Sequence, residues 1–226
     1  MGPTPWPSST ITRQRSEGAG ATRRRGQPGG TGVQAYRGSA ARSYAERTWE
    51  VDVRPLRERF LDALDSRSLQ GAWILDVGCG PGRDLAAFRQ RGAFVEGLDP
   101  SPDMARLARA ASGARVHVCP VQMFRAPQRF DGIWAMASLL HVPALALPET
   151  FRLLAGALRP AGILYASFKV GGGERTDRQR RFTDLDEAAA LSLLHQTPPL
   201  QMGKMWRSMD QRGRARPWLN LLLRRR

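Results

Sequence analysis

The chain has 226 residues, of which 42% are hydrophobic and 24% charged, and its formal net charge at pH 7 is +15. This length and composition suit one globular domain with tails, and they exclude two complete domains, wholesale disorder and collagen-like repeats. Because His141 and Pro143 interrupt the longest apolar stretch, no membrane span is expected.

The positive charge is concentrated at the two ends of the chain. Residues 1–47 hold eight Arg against two Glu, and residues 202–226 hold eight Lys or Arg against one Asp, so the middle is close to neutral. A nucleic-acid partner is an alternative that is not favoured, because basic tails alone make no recognition surface. Cys79 and Cys119 lie 40 residues apart, which predicts neither a disulfide framework nor a metal site and favours a cytoplasmic location.

The predicted elements begin after an amino-terminal segment rich in Gly, Pro, Ser, Thr and Arg. This composition predicts a disordered basic tail over 1–37 and one folded domain over 38–226. Apolar strands are predicted at 73–75, 93–98, 115–119, 130–136 and 163–168. Helices are predicted to start near 54, at Asp84, Ser101 and Pro148, and at Thr183 or Asp184. Residues 202–209 and 217–223 predict a closing pair of strands.

The alternation of apolar strands with helices predicts an α/β fold. Strands that are apolar throughout, rather than at every second residue, are typical of a parallel sheet with helices on both faces. The closing pair of strands is expected to add an antiparallel edge to this sheet.

The turn after the first strand is the most informative segment. Residues 74–84 read Ile-Leu-Asp-Val-Gly-Cys-Gly-Pro-Gly-Arg-Asp, with glycine at 78, 80 and 82. In a doubly wound sheet this turn lies at the carboxyl edge, where ligands bind, and its glycines let a ligand approach the backbone. A dinucleotide fingerprint would need glycine or alanine where Arg83 stands. Asp99 ends the second strand, where a carboxylate can accept hydrogen bonds from ribose hydroxyls.

Together these features resemble motif I of class I S-adenosylmethionine-dependent methyltransferases, of the bacterial small-molecule type. The similarity covers roughly residues 39–226 and includes Ser138–His141 and Ser167–Lys169. It implies a Rossmann-like, doubly wound sheet of seven strands in the order 3-2-1-4-5-7-6, with the last strand antiparallel. It also implies S-adenosyl-L-methionine as cofactor and a small molecule as methyl acceptor.

The resemblance also implies roles for individual residues. Asp76 would orient the methionine ammonium, Asp99 would hold the ribose, and Arg83 would meet the methionine carboxylate or face solvent. The full set of implied cofactor-binding residues is Asp76, Gly78, Cys79, Gly80, Gly82, Arg83, Asp99, Pro100, Gln122, Met123 and Ala137. Gln122 and Met123 fall where relatives contact adenine, and Ala137 falls where backbone contacts to the methionyl group are usual.

Two residues are candidates for a general base, which a hydroxyl or amine acceptor needs and a thiolate does not. His141 follows the fourth strand at the active edge, and its alternative role is structural. Tyr44 lies in a segment that resembles the amino-terminal helix of related enzymes, and it is better suited to be a lid than a base. Three alternatives remain open: an RNA methyltransferase that uses the tails, a nicotinamide-dependent oxidoreductase, and a cofactor-binding protein without turnover.

Overall fold

The computed structural model describes residues 36–64, 69–177, 180–213 and 215–226. The predicted tail therefore lies outside the described residues except for Tyr36 and Arg37. Six α-helices occur in the described part: α1 (Ser39–Trp49), α2 (Arg54–Ala63), α3 (Arg83–Gln90), α4 (Pro102–Ser112), α5 (Leu147–Ala157) and α6 (Glu187–His195). Within these residues, no helix is both long enough and apolar enough to cross a membrane.

Nine strands form two sheets in the described part. They are β1 (Trp73–Val77), β2 (Phe94–Leu98), β3 (Arg115–His117), β4 (Phe130–Ala135), β5 (Leu158–Lys169), β6 (Gly173–Asp177), β7 (Arg180–Asp184), β8 (Leu200–Ser208) and β9 (Trp218–Arg225). The main sheet has the order β3-β2-β1-β4-β5-β9-β8, and β6 and β7 form a separate hairpin.

The main sheet confirms the predicted topology. Its strands β1 to β5 are parallel, and β9 joins β5 in antiparallel register, with β8 completing the edge. Central strands are buried on both faces: the indole of Trp134 on β4 stacks on the ring of Tyr165 on β5, with centroids 4.1 Å apart. This two-sided burial is the reason that the sequence lacks a polar-apolar alternation there.

Helix α4 follows the predicted capping pattern. The Ser101 hydroxyl accepts a hydrogen bond from the Met104 amide, Pro102 is the first helical residue, and Gly113 ends the helix in the left-handed region. An acceptor at the N-cap and a glycine after the last turn satisfy backbone groups that a helix leaves unpaired.

Two predicted helix starts are wrong. Asp84 does not cap α3, because Gly82 occupies that position and the Asp84 carboxylate is drawn into ion pairs instead. Helix α6 is capped by Asp186, whose carboxylate accepts from the Ala189 amide, whereas Thr183 and Asp184 lie in β7. The β6–β7 hairpin was not predicted, since its strands are charged rather than apolar.

Gly82 sets how closely α3 and α4 can pack. Its φ is +90°, and a Cβ there would lie 2.7 Å from the Ala108 Cα in α4. Gly80 also has a positive φ, of +53°, but a Cβ there would meet nothing within 4 Å. Both glycines therefore need a backbone conformation in the left-handed region, but only at Gly82 would a Cβ also clash with a neighbouring residue.

We expect Gly82→Ala to destabilise the protein more than Gly80→Ala. Both variants carry the cost of a left-handed alanine, about 1–2 kcal/mol, and Gly82→Ala adds an overpacking cost of about 1–3 kcal/mol. Urea unfolding of the two variants measures the difference. Equal losses in the two variants would show that helix packing does not constrain position 82.

Candidate functional site

Two adjoining cavities open at the carboxyl edge of the parallel strands. The larger has a volume of about 700 Å³ and the smaller of about 430 Å³. Both volumes are within the range of small-molecule sites. The cavities share the lining residues Tyr36, Tyr44, Gly78, Gly80, Ala137, His141 and Arg180. A ligand in one cavity can therefore contact a ligand in the other at this junction.

The glycine turn forms the floor of the junction. The amides of Gly78 and Cys79 both donate to the Leu98 carbonyl, at 2.6 and 3.1 Å, which ties the end of β1 to β2. A Cβ at Gly78 would lie 2.3 Å from the Ser138 Cβ, so no other residue fits this turn. The Ser138 hydroxyl oxygen is buried and has no hydrogen-bond partner among the described residues.

The Asp99 carboxylate joins the end of β2 to the glycine turn. Its Oδ2 accepts from the Gly80 amide at 2.9 Å, and its Oδ1 accepts from the Ser101 amide at 2.8 Å. Each carboxylate oxygen can accept a further hydrogen bond, and Asp99 lines the smaller cavity. Burial raises the pKa of the Asp99 carboxyl to about 6, against the two backbone hydrogen bonds that lower it.

Asp76 presents a second buried carboxylate, at the end of β1. It lines the larger cavity beside the glycine turn and is only 3% exposed. None of the hydrogen bonds found for the described residues involves the Asp76 carboxylate, and burial, followed by the charge of Asp84, raises its pKa well above the ordinary value. A buried acceptor without a partner suits a cationic ligand group, which would supply the missing counter-charge.

Arg83 is held by the protein rather than left for a ligand. Its Nη2 and Nε pair with Asp84, and its Nη1 donates to the Thr48 carbonyl at 2.9 Å and to the Val51 carbonyl at 3.4 Å. The carbonyls belong to the end of α1 and the residues that follow. Arg83 therefore fastens the amino-terminal helix to the glycine turn, and it lines the larger cavity with most of its donors already used.

Asp84 anchors this connection. Its carboxylate also accepts from Arg57 at 2.6 Å and from the Trp134 indole nitrogen at 3.1 Å. Burial acts to raise the pKa of Asp84, but the Arg83 and Arg57 guanidiniums hold it below the ordinary value. A fully paired buried carboxylate of this kind positions its neighbours, and removal of one partner is costly.

His141 lies at the junction of the cavities with a defined tautomer. Its Nδ1 is 2.8 Å from the Arg181 carbonyl, an acceptor, so Nδ1 carries the proton and Nε2 keeps a free lone pair. Burial lowers the pKa of His141 below its ordinary value, and the charges of Arg180 and Arg175 act in the same direction. The ring is therefore neutral at pH 7.

Tyr44 lies over the junction as part of a tyrosine pair. Its ring packs edge-on against Tyr36, with centroids 4.9 Å apart, and the Tyr36 hydroxyl accepts from Arg180 at 3.0 Å. Burial raises the pKa of Tyr44 to about 12, which disfavours the ionised phenol. Tyr36 falls inside the predicted tail, yet it packs against the domain and its carbonyl accepts from Ser101.

The other predicted site residues divide into two groups. Pro100 and Gln122 line the smaller cavity, Cys79 lines the larger one, and Ala137 lines both. The Ala137 amide donates to the Ser167 hydroxyl at 2.8 Å, which leaves only its carbonyl for a ligand. Gly82 and Met123 lie outside both cavities: Gly82 packs on α4, and Met123 is 70% exposed.

Several lining residues were not predicted. They come from the β6–β7 hairpin and the closing strands, and they are Arg180, Phe182, Trp206 and Trp218. The charged segment that forms the hairpin has no apolar pattern that predicts strands, and no local motif marks the two tryptophans as site residues. Only the packing of distant segments shows that these side chains surround one cavity.

Comparison with known proteins agrees with this geometry. The methyltransferase domain family matches residues 74–162. A ubiquinone biosynthesis O-methyltransferase of Xanthomonas campestris pv. campestris (strain B100) is 34% identical over 140 residues, which are 54% of this chain and 56% of that enzyme. The chain spans about half the length of the curated relatives it matches.

Two solved structures resemble the whole domain. The 1,6-didemethyltoxoflavin-N1-methyltransferase of Burkholderia thailandensis, solved with 1,6-didemethyltoxoflavin and S-adenosylhomocysteine, has a TM-score of 0.67 and 25% identity over 83% of this chain and 84% of that one. The magnesium protoporphyrin IX methyltransferase of Synechocystis PCC 6803 shares the fold, with a TM-score of 0.66, 15% identity, and coverage of 86% of this chain and 95% of that one.

The strand order and the solved structures show the fold of class I S-adenosylmethionine-dependent methyltransferases, and residues 74–162 match the methyltransferase domain family. The predicted fold and the predicted resemblance to this class are thereby confirmed. The cofactor-binding and catalytic roles of individual residues remain predictions.

We expect the affinity for S-adenosylhomocysteine to rise with pH between about 5 and 7. The ionised Asp99 carboxylate is the better acceptor for hydroxyl donors, and with a pKa of about 6 it loses its charge as the pH falls through that value. Titration calorimetry across this range measures the effect, and Asp99→Asn should remove the step near pH 6. A step of the same size in Asp99→Asn would assign it to another group, such as Asp76.

Proposed function

We propose that this protein transfers a methyl group from S-adenosylmethionine to a small-molecule acceptor. One observation carries the proposal. Asp99 and the glycine turn line the smaller cavity, and this cavity meets the larger one at His141. A cofactor and an acceptor each have a compartment, and the two compartments meet at one place.

The residues of the smaller cavity fit the adenosyl part of the cofactor. Asp99 can accept from the ribose hydroxyls, Gln122 borders the same cavity, and Gly78 and Gly80 allow close approach of the ligand. The unpartnered carboxylate of Asp76 would take the methionine ammonium. When bound, S-adenosylmethionine supplies a methyl group attached to a positively charged sulfur, and that sulfur is the leaving group for an in-line attack on the methyl carbon.

His141 is the group we assign to proton removal. Its neutral ring keeps Nε2 free for a proton while the Arg181 carbonyl fixes the ring through Nδ1. His141 would accept the acceptor's proton at Nε2 while the acceptor oxygen or nitrogen takes the methyl group, and the electron pair of the carbon–sulfur bond would remain on sulfur. Holding acceptor and methyl donor in line supplies most of the acceleration.

Relatives support a small-molecule acceptor over a nucleic acid. The matched enzymes are named for ubiquinone biosynthesis and for a toxoflavin precursor, both small molecules. In the described residues, the larger cavity is bordered by α1, the hairpin and the closing strands, which leave a volume suited to a compact acceptor.

Cofactor binding gives the first test. We expect S-adenosylhomocysteine to bind the purified protein, and Asp99→Ala to weaken that binding by about 1–3 kcal/mol through loss of charged hydrogen bonds. Asp62→Ala, which removes an exposed carboxylate on α2, is the matched control and should leave the affinity unchanged. Binding of NADH in preference to S-adenosylhomocysteine would contradict the proposal and favour an oxidoreductase.

The role of His141 gives the second test. With a labelled methyl donor and a panel of thiols, phenols and amines, His141→Ala should lower turnover of phenol or amine acceptors by roughly 10²–10⁴-fold. Turnover of a thiol that is already ionised should change little, because it needs no base. Loss of the same size for both acceptor types would indicate that His141 positions the substrate and removes no proton. No product from any small molecule, with labelling of RNA instead, would overturn the small-molecule acceptor.

A further inference from the structure

We propose that the larger cavity selects acceptors that have an aromatic body and an anionic group, such as a carboxylate. This inference rests on the proposed methyl transfer, and it concerns only the acceptor end of the site. It follows from the charge balance of the cavity wall and from the rings that border it.

Arginines without ionic partners line this cavity. Arg47, Arg59 and Arg212 make no side-chain hydrogen bond or ion pair with any described residue, although Arg59 lies over the Trp206 ring at 5.1 Å. The side chain of Arg180 donates one hydrogen bond, to the neutral hydroxyl of Tyr36. Four guanidiniums therefore face the cavity with charge that no described carboxylate neutralises.

The carboxylates that line the same cavity do not neutralise these four arginines. Three of them are ion-paired with basic side chains, in the pairs Asp52 with Arg54, Asp84 with Arg57 and Arg83, and Asp210 with Lys169. The fourth, Asp76, lies beside the glycine turn, where the cofactor ammonium is placed. The part of the cavity away from the cofactor is consequently positive, which favours an anionic ligand.

Arg180 and Arg212 are the two arginines best placed to act on an acceptor. Arg180 lines both cavities at their junction, and its charge contributes to the lowered pKa of His141. Both arginines line the larger cavity together with Tyr44 and His141. An anionic group held between them would place the adjoining part of the acceptor next to His141.

Aromatic side chains supply the rest of the wall. Tyr36, Tyr44, Phe182, Trp206 and Trp218 all line the cavity. Rings of this kind pack on flat apolar surfaces and favour offset or edge-on contacts with other rings. Guanidiniums recognise carboxylates through paired, charge-assisted hydrogen bonds. The combination favours an aromatic acid over a neutral ring or an aliphatic acid.

The test compares two probes of the same shape and ring system, the anion 2-naphthoate and its neutral amide 2-naphthamide. Binding of each is measured by calorimetry on the full chain saturated with S-adenosylhomocysteine. We expect 2-naphthoate to bind at least tenfold more tightly than 2-naphthamide. Arg180→Gln with Arg212→Gln should weaken 2-naphthoate binding about tenfold and leave 2-naphthamide unchanged.

A control variant separates a local from a general effect of charge. Arg115 is exposed on β3, lies outside both cavities and has no side-chain partner among the described residues, so Arg115→Gln should leave both probes unaffected. Equal affinity for the two probes, or equal weakening in Arg115→Gln, would overturn the proposal.

Cofactor affinity is measured on the same variants, so that failure of the acceptor proposal can be told apart from failure of the proposed methyl transfer. Because Arg180 borders both cavities, we expect the Arg180 and Arg212 changes to weaken 2-naphthoate binding more than they weaken S-adenosylhomocysteine binding. If the variants lose affinity for the cofactor but show no selective loss of 2-naphthoate binding, these arginines bind the methionine carboxylate, and the acceptor proposal is overturned. Absence of S-adenosylhomocysteine binding to the unmodified protein would instead overturn the proposed function.

Discussion

The site depends on one carboxylate that links the ends of two neighbouring strands. Asp99 follows β2 directly, and it accepts from the Gly80 amide of the turn after β1 and from the Ser101 amide at the start of α4. The glycine turn thus has its shape fixed by the same side chain that borders the proposed ribose position. Burial that raises the Asp99 pKa to about 6 also makes the carboxylate a stronger acceptor once it is ionised.

A second buried carboxylate fixes the opposite side of the site. Asp84 pairs with Arg57 and Arg83, and Arg83 in turn holds the end of α1 through two backbone carbonyls. The amino-terminal helix carries Tyr44 over the junction of the cavities. The fold therefore couples the glycine turn, the lid and the second strand through charged hydrogen bonds that the low-dielectric interior strengthens.

Local patterns predicted the residues of the smaller cavity better than those of the larger one. Gly78, Gly80 and Asp99 follow consecutive parallel strands, and parallel strands bring their carboxyl ends to one edge, so spacing alone placed these residues together. Gly82 is predicted from the glycine turn and Met123 from the position at which relatives contact adenine, but Gly82 packs on α4 and Met123 is exposed. Asp84 was predicted as a helix cap because the competing partner, Arg57, is 27 residues away.

The sequence by itself determined the α/β topology, the resemblance to methyltransferases and the carboxylate-and-glycine pair, because these depend on periodicity and on residues close along the chain. Only the tertiary structure decided the wall of the larger cavity, since Arg180, Arg212 and the aromatic residues reach it from segments up to 182 residues from Tyr36. Their charge and burial arise from long-range packing. The tautomer of His141 was decided in the same way, by a carbonyl 40 residues away.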